Sequence, residues 1–127
     1  MENNNYLTDE QMDSFLEEID GLENGFFPDR PKIQKAGFFA VGNGWYGIIK
    51  ELIEKSIAAG WDKQICQVKE KFGGLRFYIN SAPDGVHTLI REAENKSFEI
   101  CEVCGNPGEP RKGGWIKTLC EEHHKNK

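Results

Sequence analysis

Apolar residues recur at helical spacing in three places along this chain and alternate strictly in a fourth. Met12, Phe15, Leu16 and Ile19 fall at i, i+3, i+4 and i+7, one stripe on a helix from about Thr8 to Asp20. Thr8 precedes Gln11 by three positions, the arrangement of a capping box, and Gly21 supplies the stop. Trp45, Ile48, Ile49, Leu52, Ile53 and Ile57 form the widest stripe, on a second helix from about Trp45 to Ala59 that Gly60 ends. Lys50, Glu51, Glu54 and Lys55 fall on its wet side. A third helix runs from about Asp84 towards Phe98 and turns Val86, Leu89, Ile90 and Ala93 inward. The segment between the first two helices, "GFFPDRPKIQKAGFF", is irregular, with phenylalanines suited to packing.

Between the second and third helices the period changes from 3.6 to 2. Strands are expected at about Ile65–Phe72 and Leu75–Asn80, where Leu75, Phe77 and Ile79 alternate with Arg76, Tyr78 and Asn80. A two-residue loop at Gly73-Gly74 would set Phe72 opposite Leu75, Lys71 opposite Arg76, Glu70 opposite Phe77, Lys69 opposite Tyr78 and Val68 opposite Ile79. One face then holds Val68, Glu70, Phe72, Leu75, Phe77 and Ile79. The other gathers Lys69, Lys71, Arg76 and Tyr78 with Gln67 and Asn80. Like charges facing each other across a strand pair are unfavourable, so an anion or acids from elsewhere should compensate. Three readings of that face stand: a solvated edge that discourages strand pairing, a docking face for phosphates or stacked bases, or a patch covered by the acidic first helix. Glu70 is an acid on the apolar face, placed at its rim or paired with a cation.

Charge sharpens this picture. The net charge is −5, yet residues 1–24 hold eight acids and no Lys or Arg, which leaves 13 acids and 16 bases in the rest. An acidic helical arm at 1–24 therefore precedes a mildly basic α+β body at 25–98 and a metal-binding module at 99–127. The acidic arm reads as a solvated helix face, as a shield for the basic body, or as a mimic of nucleic-acid charge. With 38% hydrophobic and 29% charged residues, the chain fits one globular domain with a modest core that a metal could supplement. No apolar run is long enough for a membrane span and the N-terminus has no signal-peptide pattern, so a reducing, cytoplasmic setting is expected.

The C-terminal segment "CEVCGNPGEPRKGGWIKTLCEEHHKNK" carries the most specific chemistry. Cys101 and Cys104 form a C-x2-C pair followed by Gly105, and Cys120 and His123 form a second short-spaced pair after a Gly-Gly turn. Two such pairs around a loop supply the four S and N donors that a structural Zn2+ takes. His124 competes with His123 for the fourth position, and the tighter C-x2-H spacing favours His123. The expected order is knuckle, hairpin and ligand-bearing helix, similar to a treble-clef zinc finger. Four protein ligands leave no place for a substrate water, so the metal is expected to be structural. Cys66 reads as a small buried residue, and His87 as a surface one. "GNGWYG" has neither the spacing nor the Lys-Ser or Lys-Thr of a phosphate loop.

The fold class expected is α+β, with helices packed on a small antiparallel β-hairpin and a C-terminal treble-clef-like zinc module. Through the words "GWYGIIKELIE", "QVKEKFGGLRFYI" and "CEVCGNPGE…GWIKTLCEEH", the chain resembles a family of small phage and prophage proteins of unassigned function. The resemblance spans roughly residues 38–124. It implies a mobile-element setting and a zinc tail ligated by Cys101, Cys104, Cys120 and His123, and it implies no catalytic residues. The function expected is non-catalytic binding of nucleic acid, a nucleotide or a host protein through Lys69, Lys71, Arg76 and Tyr78, so as to regulate or interfere with a host process. Two alternatives remain: a zinc-dependent phosphodiesterase or nuclease, and an assembly component that binds protein through Phe26, Phe27 and the acidic helix.

Overall fold

The computed structural model describes residues 4–25 and 32–125, so Phe26 and Phe27 lie outside the described residues. The elements run α1 (Asp9–Glu18), β1 (Glu23–Asn24), α2 (Tyr46–Ala58), β2 (Gln64–Lys71), β3 (Gly74–Ile79), α3 (Asp84–Ser97), β4 (Glu109–Arg111), β5 (Lys117–Leu119) and α4 (Glu121–Lys125). Single 3-10 turns at Ala36–Phe38 and Asn43–Trp45 lead into α2. The fold is α+β, as the hydrophobic pattern implies. One sheet has the order β1-β2-β3, and a second pairs β4 with β5.

α1 forms for the reason legible in its sequence. Thr8 Oγ1 accepts the Gln11 N–H at 3.1 Å while Gln11 Oε1 accepts the Thr8 N–H at 2.8 Å, a closed capping box. Its Met12, Phe15 and Leu16 join Trp45, Ile49 and Ile53 of the second helical segment, Val68, Leu75 and Phe77 of the sheet, and Val86 and Ile90 of α3 in one buried cluster. The acidic helix is therefore built into the body's core. Its acids serve the loops beside it: Asp13 accepts the Ala36 N–H at 2.7 Å, Asp9 accepts from Asn43 at 3.1 Å, and Asp20 pairs with Lys32 at 2.9 Å.

The hairpin turns one residue earlier than its glycines imply. Lys71 faces Gly74, Glu70 faces Leu75, Lys69 faces Arg76, Val68 faces Phe77 and Gln67 faces Tyr78. The turn residues are Phe72 and Gly73, with φ of 53° and 86°, and positive φ at both is what a type I′ turn requires. Gly74 cannot serve in the turn because it is needed on β3, where the ring of Phe98 lies against it and a Cβ would collide. The Glu70 carboxylate then fixes the turn by accepting the Gly73 N–H at 2.8 Å. The pairing register thereby shifts by two, which keeps the paired side chains on their expected faces, while Phe72 leaves the apolar face for the turn. The cross-strand cation pair is thus Lys69–Arg76, and the expected Lys71–Arg76 facing does not occur.

Both edges of this sheet are covered. Ser97 Oγ accepts the Leu75 N–H at 2.9 Å and Glu94 accepts the Phe77 N–H at 3.0 Å, so α3 satisfies the donors of β3 that no further strand reaches. On the other side β1 runs parallel to the start of β2, and Ala40 donates to the Val68 carbonyl at 3.0 Å. Cys66 sits where the β2–β3 register shifts, its Sγ 3.2 Å from Asn80 Oδ1, and burial pushes its thiol pKa up.

Candidate metal centre and hairpin face

After α3 the chain folds into a knuckle, the β4–β5 hairpin and α4. Cys101 lies at the base of the knuckle, Cys104 on it, and Cys120 immediately before α4, which carries His123. One ligand atom from each of these four residues lies within 4.8 Å of the other three, so the cluster could hold a metal ion. Cys120 Sγ is 3.1 Å and Cys101 Sγ 3.6 Å from His123 Nδ1, and Cys104 and Cys120 sulfurs are 3.8 Å apart. None of the four described cysteines forms a disulfide. Of the two adjacent histidines it is His123 that points into the cluster, while His124 Nδ1 is buried without a partner.

The backbone around the sulfurs is arranged for negative charge. Burial opposes ionisation of Cys101, but the N–H groups of Cys120, Cys104 and Val103 directed at its sulfur outweigh it and bring its pKa down to about 7. Burial and the neighbouring Cys101 and Cys120 sulfurs push Cys104 up to about 11. A bound cation would reverse that penalty, because a coordinating thiol is deprotonated outright.

The centre is anchored to the body by residues that the sequence pattern did not single out. Gly42 and Gly44 of "GNGWYG" lie against the knuckle: Gly44 donates to the Glu102 carbonyl at 2.8 Å, and a Cβ on Gly44 would strike the Cys101 carbonyl. That close approach explains a glycine-rich word with no phosphate-loop spacing. Trp45 Nε1 donates to the Ile100 carbonyl at 2.9 Å, and Asn5 Nδ2 to the Gly105 carbonyl at 2.9 Å.

Lys117 on β5 closes the join. Its Nζ lies 3.0 Å from Glu70 and 3.6 Å from Glu102, and the other Glu102 oxygen accepts the Gly42 N–H at 2.9 Å. Burial raises the Glu102 pKa against the opposing pull of Gly42 and Lys117. Burial alone would lower the Lys117 pKa, yet the hydrogen bond to Glu70 and the charges of both acids leave it raised. Glu70, the acid on the apolar face, thus serves the turn on one oxygen and the metal module on the other. Thr118 Oγ1 adds a 2.6 Å hydrogen bond to the Gly73 carbonyl.

The outer face of the hairpin is different. Lys69 and Arg76 face each other, with Lys71 and Tyr78 beyond them. Lys69, Lys71 and Arg76 form no ion pair among the described residues, and α1 packs against α2 and Ala36–Phe38 rather than over the hairpin. Arg76 Nε is buried from water without a hydrogen-bond partner. The Lys69 ammonium lies 6.0 Å from the Tyr78 ring centre. Among the described residues no helix is long and apolar enough to cross a membrane. In comparisons with known proteins, no family model, curated protein or solved structure matches this chain.

Proposed function

We propose that the protein is a zinc-stabilised, non-catalytic module that binds a polyanion on the outer face of its β2–β3 hairpin. The uncompensated cation pair carries this reading. Lys69 opposite Arg76 costs stability, no described acid neutralises it, and a buried Arg76 donor lacks an acceptor. An anion on that face supplies the missing charge to the accessible ends of these side chains. Nucleic acid is the polyanion that best matches cations beside an exposed Tyr78, ahead of a nucleotide or an acidic host protein. If the resemblance to phage proteins holds, this binding would serve to regulate or interfere with a host process.

Zinc is the metal that suits three thiolates and an imidazole in a tetrahedral arrangement. Bonds of about 2.3 Å to sulfur and 2.0 Å to nitrogen imply S–S spacings near 3.8 Å and S–N spacings near 3.5 Å. The observed 3.8 Å between sulfurs and 3.6 Å between Cys101 and His123 are of that size, and the 3.1 Å between Cys120 and His123 is shorter. The order of knuckle, hairpin and helix supports reading the module as treble-clef-like. A closed four-ligand centre favours a structural role over hydrolysis.

The test is binding of inorganic polyphosphate across a salt series. Affinity should fall steeply with salt, and the slope should shrink in Lys69→Gln and Arg76→Gln. Binding that is flat with salt, or unchanged in both variants, overturns the reading. Native mass spectrometry of protein prepared without added metal should show one zinc per chain. An iron or metal-free chain overturns the zinc assignment.

A further inference from the structure

The residue at the tip of the hairpin is unusual. Phe72 occupies the first central position of a turn that demands positive φ, where Asn or Asp would sit at least cost and a bulky side chain is strained. It is also 67% exposed, so packing does not account for the choice. Strain held at an exposed aromatic points to contact with something outside the chain. A second exposed ring lies in the adjacent β4–β5 turn. Gly73 meets Ile116 of the β4–β5 turn, with Cγ2 of Ile116 at 3.1 Å from a Cβ built on Gly73. Trp115, next to Ile116, is 72% exposed.

These rings keep company with cations. The Lys71 ammonium lies 5.5 Å from the Phe72 ring centre, as Lys69 does from Tyr78 at 6.0 Å. Lys112 is exposed in the same turn as Trp115. From Tyr78 to Gly74 the strand covers roughly 13 Å, enough to seat separate bases on Tyr78 and Phe72. Each ring offers a stacking surface and each neighbouring lysine a phosphate contact.

Resting on the polyanion reading above, we infer that the ligand is single-stranded nucleic acid, which runs along the hairpin from Tyr78 to its tip and stacks bases on Tyr78, Phe72 and Trp115. A duplex hides its bases and would leave the rings unmatched. A protein interface would not place lysine ammonium groups over its central aromatics, because lysine is depleted there. The cations hold the strand regardless of sequence, and the rings select unpaired bases over bare phosphate.

The experiment titrates the metal-loaded full chain with an oligothymidylate of about ten nucleotides, a duplex of equal charge and inorganic polyphosphate. Trp45 and Trp61 are buried and shielded from a ligand, so the single strand should quench only the Trp115 share of the fluorescence, and Trp115→Ala should abolish the quenching. Phe72→Asn, which relieves the strained φ, and Trp115→Ala should each weaken oligothymidylate binding on the order of tenfold. Both should leave polyphosphate affinity and the salt slope in place. If the duplex binds as tightly as the single strand, or if both ring variants bind oligothymidylate like the parent, the inference fails while the polyanion reading stands. If none of the three polyanions binds, both fail. Retained far-UV circular dichroism in each variant excludes unfolding as the cause.

Discussion

Cations on opposite sides of the same hairpin are treated in opposite ways. On the inner side Lys117 sits between Glu70 and Glu102 and shares in hydrogen bonds that tie the hairpin turn, the knuckle and the loop before α2 together. On the outer side Lys69 and Arg76 face each other with no acid among the described residues. The chain has 21 acids, and three of them, Asp9 and Asp13 on α1 and Asp20 just after it, bond to residues of the neighbouring loops. Charge is neutralised where two units of the fold must join and left open where a partner can reach. The contrast argues that the outer cations are there for something other than stability.

The strongest way to break this comparison is to chelate the metal proposed for the Cys101, Cys104, Cys120 and His123 cluster. Zinc in such centres contributes roughly 10–16 kcal/mol, so chelation should release the C-terminal module. Hydrogen exchange should show residues 99–125 losing protection together with the Phe72–Gly73 turn, while α2 and the middle of β2 keep theirs. Uniform loss across the chain would mean that the two regions are one cooperative unit.

Next in size is Lys117→Met. It leaves Glu70 and Glu102 close together without their cation and should cost about 3 kcal/mol in denaturant unfolding, the low end for a broken buried pair. The effect should depend on pH with a definite sign. Glu102 has a raised pKa in the folded state, so its charged form is already disfavoured there. Protonation as pH falls therefore favours the folded state. The variant should recover part of its deficit relative to the parent between neutral pH and about pH 5. A deficit that does not change with pH would place the loss in packing instead.

The outer face should respond in the other direction. Phe72→Asn exchanges a strained aromatic for a residue that tolerates positive φ and should raise stability by roughly 0.5–1 kcal/mol. Smallest of all, Lys69→Gln removes one of two facing cations and should change stability by only a few tenths of a kcal/mol, upward. A loss above about 1 kcal/mol in Lys69→Gln would show that the outer pair is structural after all.

What could be read from the sequence follows from where the information is local. The capping box at Thr8 and Gln11, the stripe on α2 and the alternation on β3 depend on near neighbours, and each appears where its pattern lies. The four metal-ligating candidates converge because short spacings constrain them. The turn was misread because Gly73-Gly74 offers two frames of similar local merit. The frame was chosen by the Phe98 ring against Gly74, a contact across 24 positions. Glu102, Lys117 and Gly44 escaped for the same reason, since their partners lie in other elements. β1 is two residues long and carries no period to detect.

The docking of "GNGWYG" onto the knuckle also sets a timetable. The Gly44 N–H, Trp45 Nε1 and Asn5 Nδ2 donate to the carbonyls of Glu102, Ile100 and Gly105, the last across 100 positions. During synthesis these donors before α2 must wait for their partners until the knuckle has left the ribosome. Ribosome-bound chains halted before and after Ile100 should therefore differ sharply in protease resistance near Trp45, and any chaperone that attends this protein should leave as the knuckle arrives.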